Sequence, residues 1–235
     1  MQNFIETFGK AFGLIFSFDP DLYEIIGLSL RVTFTAVFIS TLIGFPLGAL
    51  LAIGKFKGRN TLRVIITAFM GLPPVVVGLV VYMLLSANGP LGVLQLLYTP
   101  SAMIIAQVIL VVPIIAALSS QVISDLNHEY DELLRSMGLS TFAKMKTLLF
   151  DARYSLVTAV LAGLGRAMAE VGAVIIVGGN INHVTRMMTT AITLETSKGE
   201  LALALGLGTI LIILSISINA ALMAVQSFAR RNAYA

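Results

Sequence analysis

Cysteine is absent from the 235 residues, so no disulfide framework and no thiolate metal site can form. Charge is scarce as well: Asp, Glu, Lys and Arg make up 11% of the chain against 57% hydrophobic residues, with a mean hydropathy of +0.95. That balance excludes an ordinary soluble domain and points to an integral membrane protein. The phosphate cradle G-x-x-x-x-G-K-[ST] is missing, so the chain has no ATP-hydrolysing site of its own. Low-complexity tracts and a convincing internal repeat are also missing, which disfavours an inverted-repeat secondary transporter. A membrane enzyme would need a nucleophile and a base converging at membrane depth. Glu170 is the only carboxylate inside an expected span, and both histidines fall in loops.

What is present is apolar sequence in long runs. Five candidate spans emerge, at Leu28–Ile53, Leu62–Leu85, Ala102–Ile123, Leu156–Val177 and Leu201–Val225. Each reaches the ~20 residues that a helix needs to cross ~30 Å of hydrocarbon, whereas barrel strands would alternate in ~10-residue segments. An odd count puts the termini on opposite sides. Ten of the fifteen basic residues collect on one of them: Lys55, Lys57, Arg59, Arg63, Arg135, Lys144, Lys146, Arg153, Arg230 and Arg231. The positive-inside rule makes that side cytoplasmic, with the N-terminus outside, the C-terminus inside and a long outer connection at about 178–200. Residues 1–24 read as a separate extracytoplasmic segment without a cleaved signal; Phe4, Ile5, Phe8, Phe12 and Ile15 would share one face of a short interfacial helix. The rest, 25–235, reads as one transmembrane domain.

Glycine and proline punctuate the spans in "GFPLG" (Gly44, Pro46, Gly48), "GLPPVVVG" (Pro73, Pro74) and "VVPII" (Pro113). Breaks of this kind suit moving or pathway-lining helices, because neighbours or water must satisfy the freed carbonyls. Gly44 and Gly48 equally fit a simple close approach of two helices.

A coupling segment at about 125–153 is too polar for lipid and too patterned for a slack linker. It reads as two short helices broken at Gly138. Leu126, Tyr130, Leu133 and Met137 would form the apolar side of the first; Phe142, Met145, Leu148 and Leu149 that of the second, with Ser140 or Thr141 as its cap. Such a pair can serve a partner as a docking knob or lie on the membrane surface. The stretch "DELLRSMGLSTFAKMKTLLFDA" resembles the cytoplasmic coupling loop of ABC-importer permeases, whose pattern is Glu-Ala-Ala, then Gly, then an apolar-Leu-Pro ending. Glu132 and Gly138 keep the spacing; Leu133 and Leu134 replace the alanines, and Asp151 stands in place of the proline. The resemblance implies that Glu132, Gly138, Leu139 and Ser140 dock a separate ATPase.

Arg166 and Glu170 are the charges inside the fourth expected span. Four residues apart on a continuous helix they would share a face with Ala159, Ala162, Gly163, Ala169 and Ala173. An isolated charge at the bilayer centre costs ~2.5–3.5 kcal/mol, more than the ~1 kcal/mol a modest ion pair returns, so both should face protein or water. They either fix helix packing or border a translocation route, Arg166 attracting an anion and Glu170 holding the guanidinium. Beyond them, Thr185, Arg186, Thr189 and Thr190 supply donors of the kind a tetrahedral oxyanion accepts, on a re-entrant or gate-forming segment. His183 has no ligand-type neighbour at suitable spacing, so no metal site is expected.

"GRAMAEVGAVIIVGGNI" and "TRMMTTAITLETSKGELALALGLG" resemble the fourth span and outer gate of oxyanion permeases, most closely the tungstate branch, with molybdate and sulfate permeases sharing the Arg…Glu-x-Gly-Ala core. The resemblance runs from residue 25 onward. It implies an all-α integral membrane protein with five transmembrane helices in the type I ABC-importer arrangement, acting in a prokaryotic cell membrane without catalysis of its own. The implied partners are a second copy, two ATPase subunits that use ATP and Mg²⁺, an extracytoplasmic oxyanion-binding protein and membrane lipid. No nucleic acid and no cofactor on this chain are expected. The alternatives are a molybdate or sulfate permease of the same type, or an ATP-independent channel or carrier.

Overall fold

The computed structural model describes residues 20–233. Among these every regular element is helical: α1 (Pro20–Ile53), α2 (Arg59–Phe69), α3 (Pro74–Leu85), a 3₁₀ turn (Gly92–Leu94), α4 (Pro100–Ser136), α5 (Thr141–Asp151), α6 (Arg153–Met168), α7 (Gly172–Gly178), α8 (Met188–Lys198) and α9 (Leu201–Ala233). Three helices are long and apolar enough to cross a membrane: α1, α4 and the Leu201–Ala224 part of α9. The number is five if the bent pairs α2/α3 and α5/α6 each make one span. Every side chain that α3 leaves exposed is apolar, Val75, Leu79 and Met83 among them, and α9 exposes Ile212, Ile213 and Ile216, as a lipid-facing surface requires.

Several expected boundaries shift. The interfacial helix carrying Phe4 to Ile15 lies outside the described residues, and the division at residue 24 falls inside α1. That helix starts on Pro20, where a missing N–H costs nothing, and follows it with Asp21 in the first turn, at the positive end of the helix dipole. The 62–85 span is not one helix. Phe69 ends α2, and Pro73 in extended conformation (φ −64°, ψ 121°) leads into α3 with Pro74 at its first position. Pro46 and Pro113, by contrast, lie within α1 and α4 without interrupting them. The 102–123 span continues to Ser136, so the first coupling helix is the last part of α4. The 156–177 span stops at Met168 and resumes as α7. The outer 178–200 connection is not all loop, since α8 lies within it.

The chain forms two compact units. The first holds the described part of Met1–Thr35 with Pro73–Gln107 and Met168–Ala220; the second holds Ala36–Leu72, Val108–Ala167 and the described part of Ala221–Ala235. In the first, Leu22, Met188, Ala191 and Leu207 form a buried core packed by Ile25, Ile26, Leu203 and Ile210. There α3 lies against α7 so closely that a Cβ on Gly78 would sit 2.8 Å from the Ala173 Cα. In the second, a Cβ on Gly48 would lie 2.0 Å from Ser119 Oγ and 2.7 Å from the Ala116 carbonyl oxygen; on Gly44 it would strike Ile115. The Gly44/Gly48 pair therefore permits α1 to press on α4, the packing role of that spacing. The amphipathic α2 buries Ile66 against Leu51 and Ala116. At the start of α2, Arg59 Nε donates to the Leu51 carbonyl at 2.7 Å and Arg59 Nη2 to that of Ala52, satisfying acceptors left over at the end of α1.

Candidate coupling surface and outer segment

The coupling surface belongs to the second unit. Its base is an apolar core in which Ala49, Ala52, Ile53, Ile123, Leu134, Leu148, Ala152 and Leu156 are buried, with Leu126, Tyr130, Leu139, Met145 and Leu149 packed on it. On this base α4 ends at Ser136. Gly138 takes φ +62°, a left-handed conformation that a side chain disfavours, and reverses the chain. Ser140 caps α5, its hydroxyl oxygen accepting from the Ala143 N–H at 3.3 Å. Asp131 braces the turn across both helices, accepting from Lys144 at 2.9 Å and Arg135 at 2.8 Å. After Asp151 the chain bends by 77° into α6, where Arg153 lies over the rings of Phe150 and Tyr154 at 4.2 and 4.4 Å.

The four expected docking residues are thus contiguous at one turn: Glu132 and Ser140 exposed, Gly138 at the reversal, Leu139 half-buried as the anchor. The expected apolar faces need correction. Leu133, Met137 and Phe142 do not face inward; they are 59%, 61% and 77% exposed, and Leu134 fills the core position instead. Because α4 runs unbroken into this region, its phase is set by the helix upstream, which turns position 134 to the core. The result is an apolar cap on a rigid polar turn.

The outer segment belongs to the first unit. Glu170 is 2% exposed and sits in the break after Met168, not four residues along a continuous helix from Arg166, so the shared helical face expected for the pair does not exist. Its Oε1 accepts from the Ala173 N–H at 2.9 Å, which pairs one of the N–H groups that the start of α7 leaves open. Arg166 is half-buried in the last turn of α6, at the negative end of that helix dipole.

The threonines stitch the segment to itself. Thr185 donates to the Gly178 carbonyl at 2.5 Å and accepts from the Ile181 N–H at 2.9 Å. Thr189 donates to the Glu170 carbonyl at 2.9 Å. Thr190 bonds Asn180 Oδ1 at 2.9 Å and accepts from the Met187 N–H at 3.0 Å, capping α8. All three hydroxyl protons have protein acceptors in this conformation, and all three residues are buried. Arg186 differs: its Nε is buried and makes no hydrogen bond.

One contact escaped the sequence. His183, itself at φ +58°, places Nδ1 2.7 Å from Glu24 Oε2 in the first turns of α1, with Asp21 beside it. The lack of ligand-type neighbours inferred from local spacing is therefore corrected, although the three side chains are all exposed. The hydrogen bond and charge of Glu24, aided by Asp21, raise the His183 pKa above its usual value against the opposing effects of hydration loss and Arg186.

These features define a class first: a multi-pass, all-α membrane protein. Comparison with known sequences supplies the family. Residues 44–231 match the family described as "Binding-protein-dependent transport system inner membrane component", and the chain belongs to it. The chain is 38% identical to the tungstate uptake system permease protein TupB of Peptoclostridium acidaminophilum over 226 residues, 96% of this chain and 99% of the relative. The protein of that description from Campylobacter jejuni subsp. jejuni is 39% identical over 219 residues, covering 93% and 92%. A probable anion ABC transporter permease protein of Haloferax volcanii is 39% identical over 204 residues, covering 85% and 88%.

Proposed function

We propose that this chain is the membrane-spanning permease of an ATP-driven importer for tungstate, and that it works as a homodimer. Two near-full-length relatives bear the name tungstate uptake permease, which supports that substrate over molybdate or sulfate. The carrying observation for the mechanism is the apolar cap of Leu133, Met137 and Phe142 around Glu132, exposed on a turn locked by Gly138, Ser140 and Asp131. Apolar side chains held out from a braced polar turn gain from burial against a partner, and a rigid turn transmits that partner's movement.

In this reading an extracytoplasmic binding protein delivers the anion, and one ATPase docks on each coupling turn, using ATP and Mg²⁺ that this chain does not bind. Closure of the ATPases pulls the turns together and shifts the spans between two arrangements. The paired copy completes the pathway, since few helices from one chain cannot enclose it alone. Arg166 supplies positive potential near the break, Glu170 fixes the start of α7, and the threonine stitches make the outer segment move as one piece. Arg186, with a donor to spare, is the gate residue suited to meet an oxyanion. The test is ATP hydrolysis by the complex reconstituted with its ATPase and binding protein. Tungstate should stimulate it at lower concentration than molybdate or sulfate; equal or better stimulation by sulfate would overturn the substrate assignment.

A further inference from the structure

A cavity of about 490 Å³ opens among the end of α1, the start of α2, the end of α4 and the first turn of α5. Lys55, Arg59, Arg135 and Lys144 line it and Asp131 is its one carboxylate, giving a formal surplus of three positive charges with His128 neutral. Asp131 is taken up by Lys144 and Arg135. Arg59 meets only the partial charges of the Leu51 and Ala52 carbonyls, and Lys55 adds a charge that Asp131 does not meet. Like charges gathered around a concave surface raise the local potential and draw in anions. Leu50 and Phe56, which flank the lining residues Ala52, Ile53 and Lys55 in the chain, are 38% and 40% exposed.

We propose that this cavity is a site for the phosphate of an anionic lipid headgroup. Phosphate chemistry follows from the cations; the lipid source follows from the exposed apolar side chains that flank the lining in the chain, from the position at the end of a long apolar helix, and from the size of the hollow. At about 490 Å³ it has room for a phosphate with its glycerol and is larger than a bare anion needs. Basic pockets between membrane helices on the cytoplasmic side are suited to such headgroups. Gly138 and Leu139 also line the cavity, so an occupant ties the end of α1 to the coupling turn. The site is separate from the exposed Leu133, Met137 and Phe142, and it does not depend on the substrate.

The test uses the purified chain offered equal amounts of phosphatidylglycerol and phosphatidylcholine, with retained lipid read by native mass spectrometry. Lys55→Gln with Arg135→Gln leaves the Asp131–Lys144 pair intact; Lys57→Gln with Lys146→Gln removes the same charge from exposed positions outside the cavity. The first variant should lose phosphatidylglycerol retention about tenfold or more, as expected when two cations leave a headgroup site, while the second stays near the unaltered chain. A stabilising thermal shift by inorganic phosphate in phosphatidylcholine-only nanodiscs, lost in the first variant, with no lipid preference, would assign the cavity to a free anion and overturn the lipid source. Equal losses in both variants, or no loss in either, would overturn the site altogether.

Discussion

Single residues settle where this chain is tight and where it is held by charge. Gly48 leaves no room for a methyl group between α1 and α4, because Ser119 Oγ and the Ala116 carbonyl fill it and backbone cannot yield. Gly48→Ala should destabilise the chain by about 1–3 kcal/mol through overpacking, read as a fall in the thermal midpoint in detergent; Gly165→Ala, with open space at its Cβ, is the control. His183 gives a pH signature. Its pKa is raised in the fold by Glu24, so the contact contributes fully below the ordinary histidine value of ~6.5 and is lost as pH rises through the higher folded value. Hydrogen exchange in 179–187, corrected for intrinsic rates, should therefore quicken above that range, and Glu24→Gln should flatten the dependence. The Gly44/Gly48 spacing already marked a close helix approach, whereas the Glu24–His183 contact joins positions 159 apart, and no spacing rule reaches that far.

At the scale of elements, the periodicity of the sequence revealed that helices exist and misplaced their ends. The coupling pair was legible because Gly138, Ser140 and the polar run are local signals; the phase of its first helix was not, because α4 continues through it and packing upstream sets which side faces in. The break at Ala169–Val171 was hidden for the opposite reason. Its residues fit an apolar span, and what makes the break tenable is Glu170 pairing the Ala173 N–H and Thr189 holding the Glu170 carbonyl, contacts that only the folded chain assembles. The exposed cap yields a prediction at this scale. Replacing Leu133, Met137 and Phe142 together with Ser removes surface that contributes nothing to the core, so the thermal midpoint should change little while co-purification of the ATPase falls at least tenfold, hot-spot side chains commonly contributing ~2 kcal/mol or more. Retained co-purification would move the docking surface elsewhere.

For the whole molecule, composition identified a membrane protein and the length of the apolar runs made its spans helical, and the helices long enough to span agree with it. Ten of the fifteen basic residues fall in the segments that the positive-inside rule would place together, among them the cations of the coupling turn and of the cavity beside it. The central claim is that this chain moves its anion only when an ATPase grips that turn. The most direct measurement is uptake of tungstate into proteoliposomes with the extracytoplasmic binding protein added outside, with and without the ATPase subunit in the membrane and with and without ATP in the lumen. Uptake is expected only when the ATPase and ATP are both present, and it should be lost when Leu133, Met137 and Phe142 are all Ser. Undiminished uptake by the chain and binding protein alone, with no ATPase present, would contradict that claim.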